Sequence, residues 1–411
     1  MTLHLSPQLP ARVVLPTSKS ISARALIIRA LADAPCTLSG LSDCDDTQAV
    51  IRALGGSDET VDIGAAGTAM RFLTAFYATR NGETHLLTGT PRMKQRPIGI
   101  LVDALRQLGA DIEYAEAEGF PPLIVRGRRL RGGHVTIAAD VSSQYISALL
   151  MVGPTLAEGL VLHLEGEVAS RPYILMTLRL MEQFGASTAF DGQTITVRPG
   201  GYRRSAPFAV EPDWSAASYW FELVALSPDP SARVVLPGLT AQSLQGDSIC
   251  ARHFAHLGVA TDFTPEGAVL TKTPTTASDD VIRIDFVDCP DLAQTFVVTA
   301  ALEGRPFCFD GLKSLKIKET DRIAALIAEL AKLGIAIIET APGQLCFSGA
   351  SAVAASASAS GASSPSIATY ADHRMAMAFA PAAYVYPGLT IEHPEVVSKS
   401  YPSFWRDLPT L

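Results

Sequence analysis

No stretch of the 411-residue sequence approaches the roughly twenty consecutive apolar residues that a membrane-spanning helix needs. The opening residues, MTLHLSPQLPARVVLPTSKS, lack a basic segment followed by an apolar one, so a secretory signal is not expected. Cysteine is sparse: Cys36, Cys44, Cys250, Cys289, Cys308 and Cys346 are scattered without a C-x-x-C pair. That scatter predicts buried free thiols in a reducing cytoplasm, and it argues against disulfides and structural zinc. A basic excess is also missing. The net charge of -8 speaks against general nucleic-acid binding, although a locally positive cleft fits within an acidic protein. Phosphate-loop, dinucleotide, G-x-S-x-G and H-E-x-x-H patterns are absent. His253 and His256 have no Cys or carboxylate ligands beside them and read as a helix surface. No metal is expected.

What is present is a globular composition, 48% hydrophobic and 18% charged, on a chain long enough for two cores. One pattern recurs: an amphipathic helix, a glycine, then a β-like run. It reads LVDALRQLGADIEY, LRLMEQFGASTAF, ARHFAHLGVATDF and IAELAKLGIAIIET, with glycines at 109, 185, 258 and 334 and intervals of 76, 73 and 76 residues. A glycine there suits a left-handed helix cap that turns the chain into a strand. The unit is therefore a helix–strand repeat of about 75 residues. A fifth copy, TQAVIRALGG, has Gly55 only 54 residues before Gly109, which predicts missing strand or loop material between Gly55 and Gly64. The low-complexity run at 350–366 reads as a surface loop, and a domain change is expected near VEPDWSAAS.

Polar segments carrying cations stand directly before apolar helices. In LPTSKSISARAL, Ser18, Lys19, Ser20 and Ser22 precede a helical pattern starting near Ala23, with Arg24 one turn in; hydroxyls, a lysine and free amides make an anion site there. IGAAGTAMRF offers Gly64 and Gly67 for close backbone approach and Thr68 as a cap. TGTPRMKQRPIG holds Arg92, Lys94 and Arg96 between prolines, a stiff cationic loop suited to carboxylate or phosphate. VSSQYISALL supplies Ser142, Ser143 and Gln144, and ASRPYI adds Ser170, Arg171 and Tyr173. Asp291 opens the helix of DCPDLAQTF. In KSLKIKETDRIAAL, Lys318 and Arg322 form a like-charged i, i+4 pair on one helical face, unfavourable unless an anion lies between them. Asp372, His373 and Arg374 precede another helix, and Lys399 sits in a polar turn. If the helices of each domain are parallel, their N-termini point the same way, and two such domains would face each other across a positive cleft.

The segments SKSISARAL, AGTAMRFL, LTGTPRMKQRPIG, VSSQYISALL, SRPYI, KIKETDRI and YADHRMAMAF, in this order, resemble the 5-enolpyruvylshikimate-3-phosphate synthase family of enolpyruvyl transferases. The resemblance covers essentially the whole chain. It implies an α/β (α+β) fold of two similar domains, each built from β-α-β-α-β-β units with parallel helices, an inside-out α/β barrel with the first unit truncated here. The domains would be 1–16 plus 213–411 and 17–212, with the active site in the cleft between them. The implied reaction moves the enolpyruvyl group of phosphoenolpyruvate to the 5-hydroxyl of shikimate 3-phosphate, with no cofactor. By the family pattern, Lys19, Ser20, Arg24, Ser142, Ser143, Gln144, Ser170, Tyr173, Asp291, Ser314 and Lys318 would hold shikimate 3-phosphate. Lys19, Gly67, Arg96, Gln144, Arg322, Arg374 and Lys399 would hold phosphoenolpyruvate. Asp291 resembles the base at the sugar hydroxyl, Glu319 the acid at the methylene, and Lys19 is counted with them. The implied protein is a cytoplasmic monomer acting on small molecules, without nucleic-acid or membrane partners.

Two alternatives stay open: a sister enzyme using UDP-N-acetylglucosamine, which relies on a loop cysteine that TGTPRMKQRPIG lacks, and a non-catalytic anion-binding relative. Three positions depart from the family. Ala65 and Phe72 stand where Asn and Pro are usual, and Ser314 replaces a common Asn. Ala65 and Phe72 are expected to alter the phosphoenolpyruvate end, including the response to glyphosate, an inhibitor of this family. Inhibition curves for this chain and for a relative with Asn and Pro should differ in midpoint; superimposable curves would refute the expectation.

Overall fold

A computed structural model describes residues 1–33, 36–139, 142–274, 280–349 and 364–411. Most of the low-complexity stretch, 350–363, lies outside the described residues. Two compact units divide the chain, residues 17–211 and residues 1–16 with 212–411.

In the 17–211 unit, the helix-glycine-strand pattern becomes two complete repeats. The first has a four-stranded sheet ordered Thr60–Asp62, Thr84–Thr88, Leu123–Arg126, Asp111–Tyr114. Its first two strands are parallel and the return strand is antiparallel, so the helices Gly67–Ala78 and Gly99–Gln107 both cross back against the strands and share a direction. The second repeat orders Gly133–Ala138, Leu160–Glu165, Thr194–Val197 and Thr188–Phe190 in the same way, around the helices Ser143–Val152 and Arg171–Gln183. The remaining repeat is short. After the helix Lys19–Leu31, strand Leu38–Ser39 pairs only with Phe208–Ala209, in parallel, and the helix Asp45–Gly55 runs on to Thr60 without an antiparallel return.

The glycines explain the difference. Gly109, Gly185, Gly258 and Gly334 adopt φ of +98°, +90°, +70° and +76°, each turning a helix end into a strand. Gly55 is the last helical residue, and its follower Gly56 is extended at φ −93°, so no such reversal occurs. The expected truncation is thus the loss of one repeat's closing hairpin.

In the other unit, a three-stranded sheet orders Arg233–Pro237, Gly267–Lys272 and Val259–Thr264, and Arg12 makes a single parallel bridge to Val235 at its edge. A complete sheet follows, ordered Ile282–Asp285, Phe307–Asp310, Gln344–Phe347, Ile338–Ala341. The last repeat pairs Ser366–Ile367 with Thr390–Ile391, and the chain ends complete it through Thr2–Thr390 and Leu5–Thr410 bridges. No helix among the described residues is long and apolar enough to cross a membrane.

Two expectations need correction. Cys308 and Cys346 are directly opposed on antiparallel strands and joined as a disulfide, a long-range pairing that their 38-residue separation does not reveal; Cys36, Cys44, Cys250 and Cys289 are buried free thiols. His253 is no plain surface residue, because its ring packs edge-on to Phe296 at 5.9 Å and burial lowers its imidazole to about 4.

The core of this unit gathers Trp214, Trp220, Phe221, Phe254 and Phe296. Glu222 is wholly buried among them. Burial pushes its carboxyl well above the ordinary 4.5, and the Thr299 hydroxyl offsets this only in part. The folded state keeps this proton, whereas the unfolded chain releases it above pH 4.5, so stability falls as pH rises through that window. Relative to the wild type, Glu222→Gln should therefore gain stability with rising pH, by roughly 1 kcal/mol per pH unit. Urea unfolding at pH 5, 6 and 7 checks this, and a pH-independent difference would contradict it.

Candidate active site

In the 17–211 unit, the first helix starts earlier than its apolar pattern suggests. Ser18 is the cap, its hydroxyl accepting from the Ile21 amide at 3.4 Å, so Ser20 and Ser22 are helical and do not precede the helix. Lys19 is the first helical residue, and its Nζ lies 3.2 Å from the buried Asp46 carboxylate at the start of the helix Asp45–Gly55. Arg24 is buried. Its Nε donates to Thr177 at 2.7 Å, Nη2 to Ser147 at 3.0 Å and Nη1 to the Ser20 carbonyl at 3.0 Å, while its guanidinium lies 5.1 Å from the Phe72 ring centroid. Burial lowers it to about 10, still cationic at neutral pH.

Gly67 opens the next helix. Its cap, Ala66, offers no side-chain acceptor, and Thr68 is not the cap but accepts from the Gln144 side chain at 3.0 Å. A Cβ on Gly67 would stand 2.5 Å from Arg96 Nη1 and 2.8 Å from its Cζ. The bare backbone thus admits a buried guanidinium against a helix N-terminus, where free amides and the dipole favour an anion. Arg71 braces the same loop through the Gly67 carbonyl at 3.2 Å and the Pro97 carbonyl at 2.9 Å. The three cations of TGTPRMKQRPIG separate: Arg96 is buried, Arg92 is exposed, and Lys94 pairs with Glu116 at 2.6 Å.

Ser142 caps its helix, accepting from the Gln144 amide at 3.4 Å, and Ser143 is the first helical residue. Ser170 precedes another helix N-terminus at φ 54°, ψ 37°, a left-handed conformation rare for serine, and makes no side-chain cap. Tyr173 follows within the first turn, its amide bonded to the Ser170 carbonyl at 3.0 Å.

In the other unit the charges condense around Arg322, which is 1% exposed. Its Nε donates to Asp372 at 2.6 Å, Nη2 to Glu319 at 2.9 Å, and Nη1 faces Asp291 at 3.5 Å. Burial opposes its charge, but Asp372, Glu319 and Asp291 more than offset that and hold the guanidinium firmly ionised. Glu319 also takes Lys399 at 2.8 Å, and Asp291 takes Arg374 at 2.9 Å and Lys318 at 3.8 Å. Lys318 and Arg322 do not share a helical face. A short turn Lys313–Ile317 ends before Lys318, and the helix begins at Arg322 behind its cap Asp321. The anion between the two cations is Asp291. Ser314 is half-buried in that turn.

Asp372 caps the helix His373–Phe379 through the Arg374 amide at 2.9 Å while gripping Arg322, so one carboxylate aims two cations. Asp46 and Asp372 therefore position the expected ligand-binding cations. Asp46 had a faint signal, an acidic pair at a helix start; the Thr177 and Ser147 contacts of Arg24 had none. Among the described residues, no group of three His, Cys, Asp or Glu could hold a metal ion.

The Gly67 contact is testable. Gly67→Ala should displace Arg96 and weaken the phosphoenolpyruvate binding that the family resemblance implies for Arg96 by about tenfold or more, the loss of a bond to a charged group. Calorimetric titration measures this, and unchanged affinity would refute the packing argument.

Comparison with known proteins places these features. A family model described as EPSP synthase (3-phosphoshikimate 1-carboxyvinyltransferase) matches residues 5–56 and 55–408, its break falling where the closing hairpin is missing. A 3-phosphoshikimate 1-carboxyvinyltransferase of Bacteroides fragilis is 55% identical over 407 residues, covering 99% of this chain and 96% of that protein. One from Bordetella petrii is 38% identical over 437 residues, covering 98% and 95%. In fold, the chain is similar to EPSP synthase from Acinetobacter baumannii, with TM-score 0.76, 22% identity and coverage of 100% and 98%. The enolpyruvyl transferase NikO from Streptomyces tendae gives TM-score 0.72 at 17% identity, covering 99% and 96%. With a family model spanning nearly all of its length and a relative at 55% identity, this chain belongs to the EPSP synthase (3-phosphoshikimate 1-carboxyvinyltransferase) family.

Proposed function

We propose that the chain transfers the enolpyruvyl group of phosphoenolpyruvate to the 5-hydroxyl of shikimate 3-phosphate. The hydroxyl oxygen bonds to C2 of phosphoenolpyruvate as Asp291 takes its proton and Glu319 delivers a proton to C3. The tetrahedral adduct then loses phosphate, which leaves with the C2–O electron pair while Glu319 recovers the C3 proton. Lys19 and Arg24, with the Ser142 and Ser170 turns, would receive the sugar phosphate; Arg96, Arg322, Arg374 and Lys399 would receive phosphoenolpyruvate. Orientation and charge neutralisation come from this cationic set.

The observation that carries the reading is the shared anchor. Asp291 and Glu319, the two groups assigned to proton transfer, lie 3.5 and 2.9 Å from the same buried guanidinium of Arg322. One rigid cation thus fixes the spacing of an acid and a base. The reading carries a cytoplasmic monomer as well, as the family resemblance implies.

Phosphate release from phosphoenolpyruvate should require shikimate 3-phosphate and be absent with UDP-N-acetylglucosamine. Asp291→Asn and Glu319→Gln, compared with the wild type below their unfolding temperatures, should each lower kcat by about 10²–10⁴. Preference for the sugar nucleotide, or full turnover in either variant, would reject the assignment.

A further inference from the structure

Asp291 is poorly placed to be a base if only its cations are counted. Arg374, Arg322 and Lys318 lie 2.9, 3.5 and 3.8 Å from its oxygens. Three positive charges at that range favour the carboxylate and weaken its hold on a proton. A second carboxylate in the same unit acts the other way. Asp247 is 4% exposed and sits in the short turn Gly246–Ile249. That turn and the turn Pro290–Leu292, which carries Asp291, both pack against the helix Trp214–Leu226. From the first turn of that helix, Ser215 donates its hydroxyl to Asp247 Oδ2.

Burial raises the Asp247 carboxyl, and the charge of Asp291 raises it further; Ser215 and Arg374 oppose this, and Asp213 adds to the rise. Cys250 and Cys289 border it as buried thiols, and the Asp247 charge helps push both upward. Glu319 and Asp372 share Arg322 with Asp291. Asp247 belongs to none of the residue sets assigned above.

We propose that Asp247 is a positioning residue for the reaction: its charge, fixed by the Ser215 hydroxyl, offsets the cations around Asp291 and keeps Asp291 basic enough to take the hydroxyl proton. When Asp247 is ionised, Asp291 gains proton affinity from the nearby negative charge. When Asp247 is neutral, the cations dominate and Asp291 is a weaker base. This rests on the reading of Asp291 as the base.

The test is kcat/KM for shikimate 3-phosphate against pH, which follows ionisations of the free enzyme. Asp247→Asn should lower the plateau about tenfold and move the acid limb to lower pH by about one unit or more, because the limb set by Asp247 is gone. Ser215→Ala leaves both carboxylates in place but removes the donor that favours charged Asp247, so its acid limb should move to higher pH. Opposite displacements are the expected result; a packing role would lower the plateau without moving either limb. Should Asp247→Asn fail to fold, the direction of the Ser215→Ala limb decides alone. Unmoved limbs, with Asp291→Asn inactive, overturn the proposal and leave the base assignment standing. Wild-type turnover in Asp291→Asn overturns both.

Discussion

Around Arg322, a single guanidinium at 1% exposure settles where three carboxylates and, through them, three more cations can stand. A buried arginine is tolerated only if its charge is matched and its donors are used, because desolvation otherwise costs several kcal/mol. Here Asp372, Glu319 and Asp291 meet that demand, and each is tied to something else: Asp372 to a helix cap, Glu319 to Lys399, Asp291 to Arg374 and Lys318. The cluster is thus a charge lattice whose members cannot be moved singly. Its rigidity suits transfer chemistry, where groups must be oriented before charge develops.

The two units solve anion recognition differently. In the 17–211 unit, the first turns of the helices at Lys19, Gly67, Gly99, Ser143 and Arg171 contain no acid, so their amides and dipoles remain available to an incoming anion. In the other unit, Asp213, Asp321 and Asp372 cap their helices and neutralise that field locally. Cationic side chains take over there, each held by a carboxylate. Open helix starts add to Lys19, Arg24 and Arg96 in the 17–211 unit, whereas carboxylate-held side chains carry the positive potential in the other.

Much of this was legible in the chain because it is local. The four helix-ending glycines fix their own left-handed caps, so the repeat and the shortfall of material after Gly55 could be read from spacing, but not that a closing hairpin is what is lost. Ser18 and Ser142 cap the helices that follow them within three residues. Partners brought together by tertiary pairing were not legible. Arg24 meets Thr177 across 153 residues, Arg322 meets Asp372 across 50, and Cys308 meets Cys346 only because two antiparallel strands share a register. The misplaced Lys318–Arg322 face has the same origin. Charge periodicity suggested a continuous helix, whereas the Asp321 cap starts a new one and leaves Lys318 to turn toward Asp291. Family resemblance named residues, but the side chains that hold those residues came only from geometry.

The bridges of Thr2 to Thr390 and Leu5 to Thr410 carry a consequence for the order of events during synthesis. Residues 17–211 form a continuous segment and have all their strand partners once residue 209 has left the ribosome. The other unit must wait. Thr2 and Leu5 meet their bridge partners Thr390 and Thr410 only when those residues emerge, nearly four hundred residues later. Domains fold as they become complete, so residues 17–211 mature first, while Thr2 and Leu5 stay unmatched until Thr390 and Thr410 have been made.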